Sequence, residues 1–396
     1  MRDQFPIFQK HPHLSYLDSA ATAQKPHSVI DAITRYYTSD CATVHRAIYR
    51  HAMHATELYN ESREAVCQFL NASCPEEIVF TRGTTDAINL VAASYGRSIL
   101  KEGDEILISE MEHHSNIVPW QMLAESLGVQ IRWIPIDEHG NLQWLGTIHS
   151  KTKIVAISHM SNVTGTVNPI AEIAAEAHAH GAILLVDGAQ GAVHLPVDVQ
   201  ALDCDFYAFS GHKCYGPTGV GVLFGKKTLL EQMPPVQGGG DMIVRVDLEK
   251  TTYAKPPMRF EAGTPPIASV IALKSALEFI VACDRKQTAA HEHALLQFAE
   301  NQLVAIPGLR ILGGAKNKGP ILTFHIEGVH PLDLATLLDL SNISIRSGHL
   351  CAQPLLRVFG LESAARASFA IYNTLEEVER FVDGVRRSVK RLNKLS

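Results

Sequence analysis

The chain has 396 residues, of which 46% are hydrophobic and 19% are charged, and its formal net charge at pH 7 is −6. This balance excludes a mainly disordered chain, and the length predicts a large domain together with a smaller one. The acidic net charge and the lack of a long basic run predict no nucleic-acid partner. The N-terminus does not resemble a signal peptide, and the longest apolar stretch, 267–283, carries Lys274 and Glu278, which predicts no membrane span.

Seven cysteines are scattered along the chain without a Cys-x-x-Cys pair. An odd number at irregular spacing predicts reduced thiols, a cytoplasmic protein and no structural zinc site. Histidines at positions 45, 51 and 54 suggest metal binding, but neither a carboxylate nor a cysteine completes a ligand pattern around them. We therefore predict that the protein has no metal ligands.

Strand and helix patterns alternate along the chain, which predicts an α/β fold with helices on both faces of a sheet. After a short strand within 14–21, a helix is predicted at 86–93. The remaining predicted strands of the large domain are 77–81, 105–109, 154–158, 182–186 and 206–209.

Two of these strands lead into loops that suit a ligand. Gly83, Thr84 and Thr85 form a turn that opens a helix, where free N–H groups and the positive end of the helix dipole attract an anion. The same geometry suits an ordinary helix cap, so both interpretations remain open. His113 and His114 follow the strand at 105–109 and suit either a surface loop or a site where an imidazole stacks on a ring and moves protons.

Three further strands also end in polar side chains. Asn162 lies in a turn-rich segment, where bonding to the backbone is its ordinary role. Asp187 directly follows an apolar strand, so its charge is costly unless a cation meets it or it caps a helix. Lys213 follows the apolar run 206–209, and its amine is either solvated or held for a chemical purpose.

These side chains together match the needs of one cofactor. Pyridoxal phosphate (PLP) requires an amine that binds it covalently, an acid for its pyridinium nitrogen and donors for its phosphate. Lys213, Asp187 and the turn at Thr84–Thr85 supply these three groups. Because the carboxyl ends of parallel strands meet at one edge of a sheet, we predict a PLP site there.

Several segments, in order along the chain from about Leu17 to Asn373, resemble group II cysteine desulfurases and selenocysteine lyases. This family is part of the fold-type I, class V aminotransferase-like PLP enzymes. The resemblance implies a large mixed-sheet domain at 16–266, a smaller α+β domain at 267–396 that carries a cysteine loop, and an N-terminal segment, 1–15, that packs on the small domain. The matching segments are Arg82–Thr85, Met111–His114, Asp187–Gln190, Ser210–Gly219, Phe260–Pro265 and Arg346–Ala352.

The resemblance also implies roles for single residues. Lys213 would bind the cofactor and move a proton at the substrate α-carbon, Asp187 would pair with the pyridinium nitrogen, and His113 would stack on the ring as a further catalytic residue. The other implied cofactor ligands are Gln190 at the phenolic oxygen, Thr84, Thr85, Ser210 and His212 at the phosphate, and Thr264 at the phosphate of the neighbouring subunit. The implied substrate ligands are Asn162, Arg346 and Arg366.

Cys351 is the cysteine that the resemblance selects as nucleophile. Gly348 allows a tight loop before it, and Arg346 and His349 would favour its thiolate. The thiolate would take sulfur from the substrate as a persulfide and release alanine. Cys214, next to Lys213, is an alternative that we favour less, because the family places its nucleophile on the later loop.

The implied reaction converts L-cysteine to L-alanine for sulfur mobilisation and iron–sulfur cluster assembly. The alternatives are a selenocysteine lyase or another PLP-dependent lyase or aminotransferase-like enzyme of the same fold. Implied partners are a second copy of the chain, which forms a homodimer with shared active sites, and a small sulfur acceptor of the SufE or SufU type. Asp86 and Asp241 depart from the family, in which glutamate is usual.

The last predicted helix begins with a capping box at Thr374–Glu377. Apolar side chains recur on one face of this helix from Val378 to Leu392, and basic residues, the last being Lys394, gather at its end. This pattern is typical of an amphipathic helix with a solvated basic end, and it supports a smaller second domain at the end of the chain.

Overall fold

The computed structural model describes residues 1–393; Lys394 of the predicted basic helix end lies outside this range. The helices are α1 (Pro6–Lys10), α2 (His27–Arg35), α3 (Arg50–Leu70), α4 (Thr84–Val91), α5 (Arg97–Ile99), α6 (Val118–Leu127), α7 (Ile170–Ala179), α8 (Gly191–His194), α9 (Val199–Leu202), α10 (Lys227–Gln232), α11 (Ile267–Ala282), α12 (Arg285–Leu303), α13 (Pro331–Asp339), α14 (Gln353–Val358) and α15 (Leu375–Leu392). The strands are β1 (Ser15–Tyr16), β2 (Ile78–Thr81), β3 (Glu105–Ser109), β4 (Gln130–Ile134), β5 (Thr152–Ser158), β6 (Ile183–Asp187), β7 (Phe206–Ser210), β8 (Gly221–Gly225), β9 (Ile243–Val246), β10 (Thr251–Tyr253), β11 (Leu309–Leu312), β12 (Ile321–Ile326), β13 (Ile343–Ser344), β14 (Arg346–Gly348) and β15 (Ala364–Ser368).

A seven-stranded mixed sheet forms the centre of the molecule, in the order β2-β8-β7-β6-β5-β3-β4. β8 runs antiparallel to both of its neighbours, whereas β3, β4, β5, β6 and β7 pair in parallel. The carboxyl ends of β2, β3, β5, β6 and β7 therefore meet at one edge of the sheet.

Side chains that alternate along the strands serve two hydrophobic cores, one on each face of this sheet. In β3, Leu107 points into the core that contains α3, α7 and α11, whereas Ile106 and Ile108 point into the core that contains α4 and α6. The mixed sheet with helices on both faces confirms the predicted fold class.

A four-stranded antiparallel sheet, β11-β12-β15-β14, forms a second layer near the C-terminus. Its core is built from β12, β15 and the apolar faces of α12, α13 and α15, with Phe324 and Phe381 fully buried. Glu377 and Thr374 form the predicted capping box at the start of α15, each side chain accepting the backbone N–H of the other residue.

The helix α11 does not belong to this second core, although the predicted small domain begins at residue 267. α11 packs against α2 and α3, and Val270, Leu273 and Leu277 extend the core of the large sheet. The physical reason is that α11 is apolar on most of its surface. It therefore needs neighbours on more than one side, and α2 and α3 provide them. The small α+β unit therefore begins after α11, with α12.

The N-terminal segment packs against the C-terminal part of the chain. Arg2 forms an ion pair with Glu377 at 2.9 Å, and the ring of Phe5 packs at 4.8 Å from that of Tyr372. β1 pairs in parallel with β13, so Ser15 lies opposite Ile343. These contacts hold the first residues of the chain against its last third.

Candidate active site

A cavity of about 500 Å³ opens at the carboxyl edge of the large sheet, beneath the segment that runs from β14 to α14. It gathers residues from five strand ends of the large sheet and from the small one. The predicted residues that line it are Thr84, Thr85, His113, Asn162, Asp187, Gln190, Ser210, His212, Lys213, Arg346, Cys351 and Arg366.

The N-terminus of α4 forms one end of the cavity. Ser210, the last residue of β7, accepts a hydrogen bond from the backbone N–H of Thr84 at 2.8 Å, and the two hydroxyls are also 2.8 Å apart. The hydroxyls of Thr85 and Ser115 lie 2.6 Å apart. Hydroxyls beside the first turn of a helix form a cradle that suits a phosphate, because the N–H groups and the helix dipole favour an anion there.

Asp187 and Lys213 occupy the middle of the same edge, because β6 and β7 are neighbouring strands. Asp187 is buried and accepts the backbone N–H of Ala189 at 2.9 Å. Burial raises the pKa of its carboxyl group, and the hydrogen bond and Lys213 oppose the shift. Burial lowers the pKa of the Lys213 amine, against the effect of Asp187. This amine is therefore more easily deprotonated than that of an ordinary lysine.

His113 lines the same cavity and is a neutral imidazole. Its Nδ1 accepts the backbone N–H of Ser115 at 3.1 Å, which leaves the proton on Nε2. Burial, with a further effect of the Lys213 charge, lowers the pKa of His113 to about 3.

Arg346 and Arg366 line the cavity on the side of the small sheet. Arg346 in β14 and Arg366 in β15 face each other across the small sheet, and like charges in this position repel. Asp18 lies between them, 2.9 Å from Arg346 and 3.2 Å from Arg366. Arg366 also donates to the backbone oxygen of Asn162 at 2.9 Å.

Asp18 is a residue of this site that was not predicted from the sequence. The signal that could have found it is the pairing of two arginines at one site, which requires a counter-ion. Asp18 lies 348 positions before Arg366, so no local pattern connects the two residues.

The segment that carries Cys351 crosses the mouth of the cavity. Leu350 and Cys351 both adopt positive φ angles, 53° and 54°, which is unfavourable for residues other than glycine. Asn162 donates its side-chain N–H to the carbonyl oxygen of Leu350 at 2.8 Å. Leu350 is buried, and Cys351 is exposed.

Other cysteines are less suited to act as a nucleophile. Cys214 and Cys204 are fully buried. Burial raises the pKa of Cys214 to about 12 and that of Cys67 to about 11, so their thiols stay protonated near neutral pH. The alternative nucleophile, Cys214, is therefore disfavoured by its surroundings.

Thr264 does not line the cavity and is exposed in this single chain. The nearby Glu261 is buried and binds Arg63 through two hydrogen bonds of 2.7 and 2.8 Å. The segment that ends in Thr264 is therefore anchored to α3, while Thr264 itself is exposed outside the cavity.

His114, His349 and Cys351 bring potential metal ligands within 4.8 Å of one another. A neutral imidazole has one nitrogen with a free lone pair. In His114 this nitrogen is Nε2, which accepts the backbone N–H of Gln353, and in His349 it is Nδ1, which accepts that of Cys351. Because both lone pairs are engaged, neither imidazole has a free nitrogen for a metal ion, and the absence of metal ligands stays a prediction.

The residues present fit PLP. A phosphate cradle, a lysine of lowered pKa and a buried acid lie along one edge of the sheet, and these are the three groups that the cofactor requires. Within residues 1–393, Gln190 Oε1 and Arg366 Nε are among the buried polar atoms that lack a hydrogen-bond partner. Both residues line the cavity, where a polar ligand would satisfy these atoms.

Comparison with known proteins agrees with this geometry. Residues 15–381 match the family model for aminotransferase class-V. A probable cysteine desulfurase of Halalkalibacterium halodurans is 50% identical over 97% of this chain and 96% of the relative. A cysteine desulfurase of Dickeya dadantii is 49% identical over 98% of this chain and 95% of that relative. The crystal structure of the cysteine desulfurase CsdA of Escherichia coli superposes with a TM-score of 0.92 at 44% identity, covering 98% of this chain and 97% of the other.

The chain therefore belongs to the aminotransferase class-V family of PLP-dependent enzymes. Within this family it is a group II cysteine desulfurase, as its full-length relatives indicate. No helix among the described residues is long and apolar enough to cross a membrane.

Proposed function

We propose that this enzyme converts L-cysteine to L-alanine and carries the released sulfur as a persulfide on Cys351. The observation that carries the assignment is that an exposed thiol lies on the same cavity as Lys213 and Asp187. When bound, PLP withdraws electrons from the substrate α-carbon and so weakens the bonds around it.

Residues of the chain hold the cofactor and the substrate. Asp187 pairs with the ring nitrogen, and the hydroxyls of Thr84, Thr85 and Ser210 hold the phosphate, with His212 beside them. Gln190 contacts the phenolic oxygen, and His113 covers the ring. These roles are supported by the hydrogen bonds and burial described above.

Arg366 binds the substrate carboxylate, with Arg346 and Asn162 beside it. A guanidinium matches a carboxylate with two parallel hydrogen bonds, and the unpartnered Nε of Arg366 supports this role. Lys213 moves the proton at the substrate α-carbon, because burial lowers the pKa of its amine and so favours the neutral form that can accept a proton.

The thiolate of Cys351 then attacks the substrate sulfur. A sulfur–sulfur bond forms while the carbon–sulfur bond of the substrate breaks. Cys351 is oxidised to the persulfide, and the substrate carbon is reduced and takes up a proton, which yields alanine.

The experiment is to add L-cysteine to the enzyme and to measure alanine and the mass of the peptide that contains Cys351. We expect an added sulfur atom on this peptide and an equal amount of alanine in the first turnover. Cys351→Ala should lose both products, and the Cys214→Ala variant should keep them. Full desulfuration by Cys351→Ala would refute the assignment.

A homodimer and a sulfur-acceptor protein complete the proposal. The exposed Thr264 supports a dimer in which each chain contributes this residue to the other cavity. The hairpin β9–β10, with Val244, Val246 and Leu248 exposed, offers apolar surface for such contacts. Light scattering should give twice the mass of one chain, and a monomer that retains full activity would contradict shared sites.

The exposed position of Cys351 supports transfer of its sulfur to a small acceptor protein for iron–sulfur cluster assembly. An acceptor that carries a reactive cysteine should raise turnover above that with a reductant alone. The free cysteines support a reducing, cytoplasmic location. Activity on selenocysteine stays a prediction, which a parallel assay with L-selenocysteine tests.

A further inference from the structure

The segment that carries Cys351 is in an unfavourable conformation that other residues must hold. Consecutive positive φ angles at Leu350 and Cys351 cost of order 1 kcal/mol each, and such strain persists only where the surroundings determine it. Asn162 holds the carbonyl of Leu350, as described above. The contacts that hold Cys351 itself come from two histidines.

His114 forms two hydrogen bonds with the segment, one at Cys351 and one two residues later. Its backbone N–H donates to the carbonyl oxygen of Cys351 at 2.7 Å, and its Nε2 accepts the backbone N–H of Gln353 at 3.2 Å. The ring of His349 lies 5.6 Å from the ring of His114, and its Nδ1 accepts the N–H of Cys351 at 3.1 Å. The N–H and the C=O of Cys351 are thus both bound.

The bond to Gln353 also serves as a helix cap. α14 begins at Gln353, and the N–H groups of a first helical turn have no partners within the helix. Ala352, in the N-cap position, has no side-chain oxygen and forms no capping bond. The imidazole of His114, which comes from a loop 239 positions away, accepts the N–H instead.

His114 is also adjacent to His113, which lines the cavity. The loop after β3 therefore meets the cofactor through one histidine and the nucleophile through the next. A shift of this loop would move both groups together.

We propose that His114 is a positioning residue for Cys351, which fixes the segment 351–353 so that the thiol meets the substrate sulfur. This inference rests on the proposed role of Cys351 as nucleophile. Burial and the neighbouring His349 lower the pKa of His114, which keeps its imidazole neutral and able to accept the bond.

The test compares His114→Met with His114→Gln in the PLP-bound enzyme. Both side chains are about as long as histidine, but glutamine offers a strong oxygen acceptor near the position of Nε2, whereas the thioether sulfur of methionine is a weak one. The backbone bond from residue 114 to Cys351 remains in both. The measurements are the change in cofactor absorbance on adding L-cysteine and the single-turnover rate at which sulfur appears on Cys351.

We expect His114→Met to keep the absorbance change and to form the persulfide about tenfold more slowly, the effect of losing about 1.4 kcal/mol of hydrogen bonding. His114→Gln should recover most of the rate. An unchanged rate in His114→Met would overturn the proposal, and so would an equal loss of the absorbance change, which would indicate a general structural role. If the unaltered enzyme forms no persulfide on Cys351, the proposed function fails as well, and this control is measured first.

Discussion

The buried ion pair between Arg63 and Glu261 offers the sharpest test of the energetics. Glu261 Oε1 accepts from Arg63 and from the backbone N–H of Phe80 at 2.8 Å, and Oε2 accepts from Arg63 and from the hydroxyl of Tyr59 at 3.1 Å. Arg63 also donates to the carbonyl oxygen of Ile78 at 2.6 Å. Both charged residues are less than a tenth exposed.

Glu261→Ala leaves the guanidinium of Arg63 buried without a counter-charge. We expect this variant to lose about 3–5 kcal/mol of unfolding free energy. Arg63→Met should lose a similar amount. The double variant should lose less than the sum of the two by about 1–3 kcal/mol, because it leaves no unpaired charge.

The assay is urea unfolding of the PLP-bound enzyme, followed by circular dichroism. Asp383→Ala is the matched control, because its pair with Arg386, at 3.4 Å, is exposed and contributes less than about 1 kcal/mol. Losses at Glu261 and Arg63 that add within about 0.5 kcal/mol would refute the reasoning, since independent sites show such additivity.

Three further predictions follow from buried groups. Asp187→Asn should slow alanine formation about a hundredfold, because one charge-assisted hydrogen bond to the ring is worth ~3 kcal/mol; a rate within threefold of the unaltered enzyme would argue against the pairing. Phe381→Ala should cost about 3–5 kcal/mol of unfolding free energy in urea, against less than about 0.5 kcal/mol for the half-exposed control Leu375→Ala; equal losses would contradict the packing of the small sheet. Burial lowers the pKa of His159 to about 4, so below its unfolded pKa of about 6.5 the unfolded chain binds one more proton than the native one. Stability should therefore fall by about 1.4 kcal/mol per pH unit between pH 6.5 and pH 4 from this group, and His159→Gln should show a shallower acid slope in urea titrations at several pH values; an identical slope would exclude this contribution.

The residues at the carboxyl edge of the large sheet could be predicted from the sequence. Apolar runs that end in single polar residues predicted strands before Asp187 and Lys213, and β6 and β7 are indeed neighbours. Local hydrophobic pattern works here because a strand buried on both faces leaves a clear apolar run between polar ends. The capping box of α15 was predictable for a similar reason, since its two partners are three residues apart.

Features that depend on contacts between residues far apart in the chain could not be predicted from the local sequence pattern. The apolar surface of α11 predicts a helix but does not say which core it joins. Asp18 has no local signal, because its partners lie on strands at the other end of the chain. His114 was visible as the second of two histidines, but its contact with Gln353 exists only in the folded chain.

Asp18 also constrains the order in which the site can be completed during synthesis. The edge with Asp187 and Lys213 is fully encoded once β8 has been made, at residue 225. Asp18, near the N-terminus, pairs with Arg346 and Arg366, near the C-terminus. These ion pairs therefore cannot form until nearly the whole polypeptide has been synthesised. A ribosome-bound chain would therefore complete the edge with Asp187 and Lys213 first and the ion pairs of Asp18 with the two arginines last.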